Sequence, residues 1–278
     1  MLQNKTVNIL FIGDIIGSLG RKVTQNILPE LKRELNVDIT IAQGENSAHG
    51  YGITKKIYNW FSDIGINVIT MGNHVWDKKE IIKDAASFEM MARPANFPLE
   101  KGVPGKEYVI EKTKDGHRIA VVSLVGRVFM SPLDCPFQAS DRILKEIEKD
   151  ADIIIIDIHA EATSEKVALS YYLDGKVSAI FGTHTHVITA DERILPGGTA
   201  YITDVGMVGG KNSIIGMKKE QILKKFITGM HEKFEPVEED DGIFNAVFAQ
   251  IDSKTGRAVS IKKIIKTIDD PFNPDHSL

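Results

Sequence analysis

The pentapeptide GTHTH, at residues 182–186, is the part of the sequence whose residue types and spacing most clearly indicate metal chemistry. In an extended chain, His184 and His186 would point to the same side, about 6–7 Å apart along the strand. That separation suits ligands of two metal ions roughly 3.5–4 Å apart better than a tight chelate on one ion. A two-metal centre also needs a bridging carboxylate, for which Glu45 is the candidate. Without thiolates, these oxygen and imidazole ligands favour Mn, Fe, Ni or Zn over a structural zinc site.

Further side chains of the same ligand types follow short apolar runs that are rich in β-branched residues. These runs predict strands at 7–12, 38–42, 67–71, 118–125, 152–158, 177–181 and 199–203. The polar residues that close or follow them are Asp14, Glu45, Asn46, Asn73, His74, Asp77, His159, His184, His186 and Asp204. Because functional residues of open α/β sheets collect at the carboxyl ends of the strands, we expect these side chains at one sheet edge.

Amphipathic patterns between the predicted strands indicate the helices that must position them. They cover residues 20–35, 54–64, 77–85, 139–149, 164–173 and 217–231. Thr54 and Ser164 are the expected N-caps of the second and fifth helices. Pro29 is expected to kink or divide the first helix, because proline lacks the backbone N–H that continues the hydrogen-bond ladder.

The last third of the chain adds two more strand patterns. Residues 243–251 and 258–265 flank the turn sequence DSKTG and predict a hairpin. Continuous apolar runs such as 153–156 indicate sheets that are buried on both faces by helices. We therefore expect one α/β domain over residues 1–278, with a flexible tail at 266–278.

Composition limits the kinds of partner and compartment. The 278 residues carry a formal net charge of −4, so an extended electrostatic grip on nucleic acid is not expected. Cys135 is the only cysteine, which excludes an intrachain disulfide and a cysteine-rich metal site. No stretch approaches the ~18 apolar residues of a membrane span. We expect a cytoplasmic protein with no membrane partner. A small anionic substrate remains compatible with this charge, because a local cation could bind it, and a homo-oligomer remains open.

Each candidate residue also has an ordinary structural explanation. A single histidine after a strand is more often a hydrogen-bonded structural residue than a ligand, and a single aspartate there is most often a helix cap or turn former. Independent structural causes would not place ligand types at five successive strand ends, however. His117, His231 and His276 keep the structural explanation, whereas His49 is a candidate for the rim of the site.

Eight motifs resemble a known family when taken in their order. They are GDIIGSLGR, GENSAHGYGIT, MGNHVWDKKEI, RPANFP, GRVFM, DIHAEATSEK, FGTHTHV and TDVGM, all within residues 8–217. Their metal-ligand types follow the order of the calcineurin-like metallophosphoesterases, and in detail they are similar to the bacterial YmdB-like phosphodiesterases. Two departures from the broad superfamily agree with that subgroup: Ile16 replaces a histidine two residues after Asp14, and Glu45 replaces an aspartate.

The resemblance implies a four-layer αββα sandwich with a dinuclear centre at its strand ends. The centre would hold two divalent or mixed-valence transition-metal ions, Fe, Mn or Zn. By position, Asp14, Glu45, Asn46 and His186 would surround one metal, and Glu45, Asn73, His159 and His184 the other, with Glu45 bridging. The implied activity is hydrolysis of small phosphodiesters, with 2′,3′-cyclic nucleotides as the substrate class. Arg127 and Asp204 are the candidates for substrate contacts.

In the implied mechanism, a metal-activated hydroxide attacks the phosphodiester. His74 acts as general acid or stabilises charge in the transition state. Two alternatives remain open: a phosphomonoesterase or nucleotidase with the same centre, and a metal-dependent nucleotide-binding regulator with little turnover. A pure binder would not need His74. A dinucleotide-binding turn fits poorly, because the glycines at 13, 17 and 20 do not follow the G-x-G-x-x-G order.

Overall fold

The structure is a computed structural model and describes residues 6–98 and 102–272. Within those ranges it is a mixed α/β fold with six α-helices and two β-sheets. The helices are α1 Gly17–Glu34, α2 Lys55–Asp63, α3 Lys79–Asp84, α4 Pro136–Ile147, α5 Thr163–Leu173 and α6 Lys219–Thr228. The strands are β1 Thr6–Ile12, β2 Asp14–Ile15, β3 Ile39–Gln43, β4 Val68–Thr70, β5 Met91–Ala92, β6 Tyr108–Lys112, β7 Arg118–Val125, β8 Ile153–His159, β9 Ala179–Thr183, β10 Arg193–Ile194, β11 Ala200–Ile202, β12 Met207–Gly210, β13 Gly242–Asp252 and β14 Ala258–Ile268.

The first sheet has the strand order β2-β12-β13-β1-β3-β4-β5, and β14 pairs with β13 at its edge. Strands β1, β3, β4 and β5 run parallel to one another. Strand β13 runs antiparallel to both β1 and β14. The carboxyl ends of β1, β3 and β4 therefore lie on the same side of this sheet.

The second sheet has the order β10-β11-β9-β8-β7-β6. Its four central strands, β11, β9, β8 and β7, are parallel, and the two outer strands are antiparallel to their neighbours. The register places Val125, His159 and Thr183 in one row across β7, β8 and β9. Residues in such a row end their strands at the same level, so side chains that leave the sheet there meet.

Alternation along the strands divides the apolar core into three clusters. Residues of β1, β3 and β4 whose side chains face the second sheet share one cluster with residues of β7, β8 and β9. Phe11 and Phe181 join the two sheets in this cluster, with ring centroids 5.0 Å apart. A second cluster contains the opposite face of the first sheet with α1 and α2, and a third contains the opposite face of the second sheet with α4 and α5. Both sheets are thus buried on both faces, as their continuous apolar runs predict.

The nine predicted strands are all present, and the hairpin predicted around DSKTG is formed by β13 and β14. The sequence patterns missed β2, β5, β6, β10 and β12. Three of these have only two residues, β12 is the glycine-rich segment MVGG, and β6 alternates with partly exposed polar residues. None of them has the apolar run on which the predictions depended.

Helix boundaries depend on details that the patterns resolve only in part. Thr54 is the N-cap of α2, where its side chain accepts a hydrogen bond from the Ile57 N–H, so this prediction is confirmed. The prediction for Ser164 was wrong, because α5 begins one residue earlier and the backbone carbonyl of Ala162 accepts from the N–H of Glu165. Pro29 lies inside an undivided α1 and is exposed, which leaves the unpaired carbonyl one turn earlier accessible to water.

The C-terminal strand reaches further than predicted. Strand β14 extends to Ile268, so the first three residues of the predicted tail, 266–278, belong to a sheet. Residues 273–278 of that tail lie outside the described residues. Among the helices that the structure describes, none combines the length and apolar character that a membrane crossing requires.

Candidate metal centre

Parallel strands of both sheets deliver the candidate ligands to one place. Asp14 follows β1, Glu45 follows β3 and Asn73 follows β4 in the first sheet, whereas His159 ends β8 and His184 follows β9 in the second. The prediction of a single sheet edge was therefore wrong. The side chains still converge, because the carboxyl ends of the parallel strands of both sheets open towards the same cleft.

The Nε2 atom of His159 is the point where these side chains come closest. It lies 2.8 Å from Glu45 Oε1, 3.1 Å from Asn73 Oδ1 and 3.0 Å from His184 Nδ1. A single ring nitrogen has one hydrogen or one lone pair and cannot satisfy three such neighbours at once. Ligand atoms of Glu45, His159 and His184 lie within 4.8 Å of one another, close enough for one metal ion to bind all three. The donor set fits a transition-metal cation.

The opposite nitrogen of the His159 ring is fixed by buried polar groups. Its Nδ1 lies 2.9 Å from Thr183 Oγ1 and 3.2 Å from Gln43 Nε2. Thr183 in turn donates to Asp157 Oδ1 at 2.7 Å. These contacts hold the imidazole so that Nε2 faces Glu45 and Asn73, which is how outer groups orient a histidine ligand at a metal site.

Gly72 allows the loop after β4 to pass close to this ring. A Cβ atom at position 72 would collide with the His159 ring and with Glu45 Oε2. The glycine of the motif GNH is therefore required by a close approach of backbone to side chains. It brings Asn73 within reach of the same His159 nitrogen.

Asp14 and His186 form the other half of the cluster. His186 Nε2 lies 3.6 Å from Asp14 Oδ1, and the His184 N–H donates to Asp14 Oδ2 at 3.3 Å. Among the described residues, Asp14 Oδ1 and Asn46 Oδ1 are buried oxygens without a hydrogen-bond partner. Because a buried, unpaired oxygen is costly in free energy, these two atoms fit a second cation that they would help to bind.

Burial and neighbouring charges shift the pKa values of the cluster in opposite directions. Burial favours the neutral form of Asp14, but the charges of His186 and His159 lower the pKa of this carboxyl to about 2. Burial opposes the charge on His159, but Glu45 and Asp14 raise the pKa of this imidazole to about 9. Burial and then the charge of His159 lower the pKa of His184 to about 3. In the metal-free protein, His159 therefore carries the proton that a metal must displace, and His184 is neutral.

His74 lies beside the cluster and is partly open to solvent, with 27% of its side chain exposed. Its backbone N–H donates to Glu45 Oε2 at 2.8 Å. Its Nδ1 lies 2.7 Å from Asp77 Oδ2, and the ring of Tyr51 contacts it edge-on with centroids 5.1 Å apart. Because the Asp77 carboxylate accepts a hydrogen bond from the Nδ1–H, Nε2 is the nitrogen left for proton exchange with a substrate.

The GTHTH segment is not extended, so the geometric part of its prediction was wrong. Strand β9 ends at Thr183, and His184 and His186 have φ angles of 101° and 64°. Positive φ is unusual for residues with a Cβ and is often found at functional sites. The turn points His184 towards His159. His186 donates from Nδ1 to the Ile215 carbonyl at 3.0 Å, which leaves its Nε2 free as a ligand atom.

Asp204 was a candidate for a substrate contact, and its location does not support that role. The carboxylate is fully buried. Its Oδ2 accepts from Lys166 Nζ at 2.7 Å and from the Thr185 N–H at 3.0 Å, and its Oδ1 accepts from the Gly206 N–H at 2.8 Å. Both oxygens are occupied, so Asp204 positions the GTHTH turn.

Arg127 lies on the surface two residues beyond Val125, the residue that pairs with His159 across β7 and β8. Its backbone N–H donates to the Glu165 carboxylate at 3.0 Å, and its guanidinium lies 3.3 Å from Cys135 Sγ. This location beside the cluster is compatible with a substrate contact. His49 is also exposed and lies 3.9 Å from Glu238, and its place at the rim of the site stays a prediction.

Several polar groups that support the cluster were not predicted. They are Gln43, Asp157, Glu161, Lys166 and Thr183. Two of them left a signal in the sequence, because Gln43 and Asp157 are polar residues within otherwise apolar strands. Glu161 follows β8 and Lys166 lies in α5, and neither has a distinguishing pattern, since their partners come from distant parts of the chain.

Comparison with known proteins agrees with this geometry. The family model described as "YmdB-like protein" matches residues 10–264. The chain belongs to the YmdB-like family. A relative from Bacillus subtilis (strain 168), named "2′,3′-cyclic-nucleotide 2′-phosphodiesterase", is 48% identical over 97% of this chain and 98% of its own length. A relative from Mycoplasma pneumoniae, named "Putative phosphatase/phosphodiesterase", is 37% identical over 96% of this chain and 95% of its own.

Two solved structures resemble this YmdB-like chain over nearly its whole length. One is a hypothetical protein from Thermus thermophilus, with a TM-score of 0.87, 40% identity and coverage of 94% of this chain and 100% of that one. The other is a novel phosphatase from Mycoplasma pneumoniae, with a TM-score of 0.89, 35% identity and coverage of 98% and 96%. This chain thus shares its fold with both of these proteins.

Proposed function

We propose that this protein is a metal-dependent phosphodiesterase that hydrolyses small phosphodiesters, with 2′,3′-cyclic nucleotides as the substrate class. The observation that carries the proposal is the convergence of Glu45, Asn73 and His184 on His159 Nε2. The name of the B. subtilis relative, at 48% identity, supports the substrate class. Carboxylate, amide and imidazole donors around a cleft are the ligand types of a hydrolytic metal centre.

The proposed centre holds two transition-metal ions, Fe, Mn or Zn, bridged by Glu45. Asp14, Asn46 and His186 are assigned to one ion because two of them contribute buried oxygens without partners. Asn73, His159 and His184 are assigned to the other ion because Asn73 Oδ1 and His184 Nδ1 both lie close to His159 Nε2. Glu45 Oε1 lies 2.8 Å from His159 Nε2, which supports Glu45 as a ligand, and its bridging role is proposed from the family resemblance.

A substitution tests the ligand assignment directly. His184→Ala should lower the metal content of the purified protein, measured by elemental analysis, because it removes one of three clustered donors. His231→Ala, at an exposed position far along the chain, is the matched control and should keep the metal content of the parent. Unaltered metal in His184→Ala would remove this residue from the centre.

The chemistry assigned to this chain's own residues centres on His74. When bound, the metal ions would neutralise the phosphodiester and activate the attacking water. Asp77 orients the His74 ring through Nδ1, so that Nε2 can donate a proton to the leaving alcohol or stabilise charge there. Arg127, which lies on the surface beside the cluster, is proposed to contact the substrate.

A phosphomonoesterase is the second candidate, because the similar structure from Mycoplasma pneumoniae is described as a novel phosphatase. The purified protein, loaded with Mn²⁺ or Fe²⁺, should be assayed on 2′,3′-cyclic AMP and on 5′-AMP. Faster turnover of the cyclic diester supports the proposal. Faster turnover of 5′-AMP would replace it with the phosphomonoesterase, and tight binding of both without turnover would indicate a nucleotide-binding regulator.

The domain organisation and the layer arrangement of the fold are part of the same proposal. We propose that residues 1–278 form one domain with the four-layer αββα arrangement, supported by the three apolar clusters between and outside the sheets. The cytoplasmic location and the homo-oligomer stay predictions from the sequence.

A further inference from the structure

A cavity of about 770 Å³ is lined in part by Asp77, the partner of His74, and the cavity has no part in the chemistry described above. It lies between α2 and the segment that leads into α3. Asp77, whose Oδ2 contacts His74 Nδ1, forms part of its wall, as does Ala48 from the loop that carries Glu45. The cavity therefore begins where the proposed general acid is held, and its volume is within the range of small-ligand sites.

The charge of the cavity is opposite to that of the whole chain. Four cationic side chains line it, whereas only two acidic ones do, Asp77 and Glu80. The cationic residues are Arg21, Lys56, Lys78 and Lys79. Within residues 6–98 and 102–272, none of the four is within ion-pair distance of a carboxylate, although the protein has a net charge of −4. A local positive potential of this kind favours an anionic ligand.

Arg21 is the strongest sign of such a ligand. It is half-buried on α1, and its Nη1 donates to the backbone carbonyl of Ser47. Burial lowers the pKa of this guanidinium, and no nearby carboxylate offsets that effect. Half-buried arginines are usually paired with carboxylate or phosphate, because the guanidinium offers several donors in a fixed plane. In this cavity the described residues supply no such partner.

Apolar side chains also line the cavity. Ile57 and Trp60 of α2 are both part of its wall, together with the cationic Lys56 of the same helix. An aromatic face next to cationic side chains is the combination by which proteins bind a nucleotide, with the base or sugar against the ring and the phosphate against the charges. The cavity thus has places for both parts of a nucleotide next to the proposed metal centre.

We propose that this cavity binds a second phosphate of the substrate, the one on the 5′ oxygen of the nucleoside whose 2′,3′-cyclic phosphate lies at the metal centre. The inference rests on the proposed function. The ligand class is 5′-phosphorylated nucleoside 2′,3′-cyclic phosphates. Their 5′ phosphate is either a monoester or the diester link to a preceding nucleotide of a short RNA fragment, and reactions that cleave RNA by attack of a 2′ hydroxyl supply such ends.

Three substrates test the proposal on the metal-loaded protein. They are adenosine 2′,3′-cyclic phosphate, its 5′-phosphorylated form, and an adenylyl dinucleotide that ends in a 2′,3′-cyclic phosphate. We expect kcat/KM to be about tenfold higher when the 5′ phosphate is present, since charge-assisted contacts of two or more cations are made only then. The gain should shrink as ionic strength rises.

The double variant Lys56→Ala/Lys79→Ala should lose most of this gain and keep the parent's kcat/KM for the unphosphorylated compound. Lys83→Ala is the matched control, because Lys83 is an exposed lysine on the same α3 helix and does not line the cavity. Calorimetry on the metal-loaded His74→Ala protein should give a lower Kd for the 5′-phosphorylated mononucleotide than for adenosine 2′,3′-cyclic phosphate. This difference in Kd should disappear when the two lysine substitutions are added.

Each outcome decides between the two proposals. Equal kcat/KM for all three substrates, or a gain that the double variant retains, would overturn the second phosphate site and leave the phosphodiesterase intact. A gain with the monoester alone assigns the site to mononucleotides, and a gain with the dinucleotide assigns it to RNA ends. Failure to hydrolyse even the unphosphorylated compound would contradict the proposed function itself.

Discussion

His74 is held through both its backbone and its side chain. Its backbone N–H is bound by Glu45, the proposed bridging ligand, and its ring is bound by Asp77 and contacted by Tyr51. The position of the ring is thus tied to the metal centre although the ring itself contacts no candidate ligand atom in the described contacts. A residue in that situation can be removed without removing the centre.

His74→Ala should therefore separate catalysis from metal binding. We expect kcat to fall by about 10²–10⁴-fold, the usual contribution of a general acid, while the metal content stays at the parent level. Steady-state kinetics on 2′,3′-cyclic AMP and elemental analysis of the same preparation measure both quantities. His231→Ala serves as the control, and a His74→Ala protein with normal turnover would exclude His74 from the mechanism.

The pKa of His159 makes metal binding depend on pH. In the metal-free protein, burial opposes its charge but Glu45 and Asp14 raise the pKa from 6.5 to about 9. Because the folded-state pKa is raised, the ion pair stabilises the metal-free fold fully below 6.5 and loses this contribution as pH rises through 9. A metal competes with the same proton.

The apparent metal affinity should therefore rise with pH between 6.5 and about 9, by up to about tenfold per pH unit for one displaced proton. Competition with a chromophoric chelator of known pH dependence measures this slope. The free energy of unfolding of the metal-free protein, from urea titrations, should fall over the same interval. A flat affinity profile would indicate that no proton leaves His159 on metal binding.

At the scale of elements, the parallel register of β7, β8 and β9 decides which side chains meet. His159 and Thr183 are paired positions of neighbouring strands, so the hydroxyl of one reaches the imidazole of the other. Asp157, two residues before His159 on the same strand, binds that hydroxyl from the other side. The strand pairing itself therefore orients the ligand.

Thr183→Val should test this support, because valine keeps the shape of threonine and removes the hydroxyl. We expect metal affinity to fall by about 10–100-fold, as is typical when an outer partner of a histidine ligand is removed. Thr40→Val is the matched control, since Thr40 lies buried in β3 and its hydroxyl has no partner among the described residues. A chelator competition assay compares both variants with the parent, and equal losses in the two would assign the effect to packing.

The elements also explain which parts of the structure the sequence predicted. Runs such as 7–12 and 152–158 are apolar throughout, and the strands they predict are present. The two-residue strands and the glycine-rich β12 pair only because neighbouring elements bring them together, so no local pattern marks them. The candidate ligands at strand ends were recognised because each of them directly follows one of these local apolar runs. The turn at His184 and the partners Lys166 and Glu161 were not, because they depend on contacts between distant segments.

At the scale of the whole molecule, the candidate ligands link the two sheets. Asp14, Glu45 and Asn73 follow strands of the first sheet, and His159 and His184 lie at strand ends of the second. The sheets also meet through apolar contacts such as Phe11 with Phe181 and through the polar contact of Gln43 with His159. A bound metal would therefore connect the two halves of the core. Its binding free energy would add to the stability of the fold as a whole.

Removal of bound metal with a chelator should lower the melting temperature of the protein below that of its metal-loaded form. A metal at 100 times its Kd contributes about 2.7 kcal/mol to the free energy of unfolding, which corresponds to a shift of several degrees. Differential scanning calorimetry of the metal-loaded protein, before and after dialysis against a chelator, measures this difference. His184→Ala should show a smaller difference, and identical melting of the loaded and stripped parent would contradict metal binding to the folded protein.

Strand β14 has a consequence for how copies of this protein behave at high concentration. Within the described residues its only ladder partner is β13, and at the start of the strand the Ala258 N–H donates to the Gly198 carbonyl. An edge strand of this kind can recruit a strand from a neighbouring molecule. Lys262, Lys263 and Lys266 occupy this strand, and charged lysines disfavour such edge-to-edge pairing. The strand at the edge of the sheet thus carries charges that oppose its pairing with the same strand of a second copy.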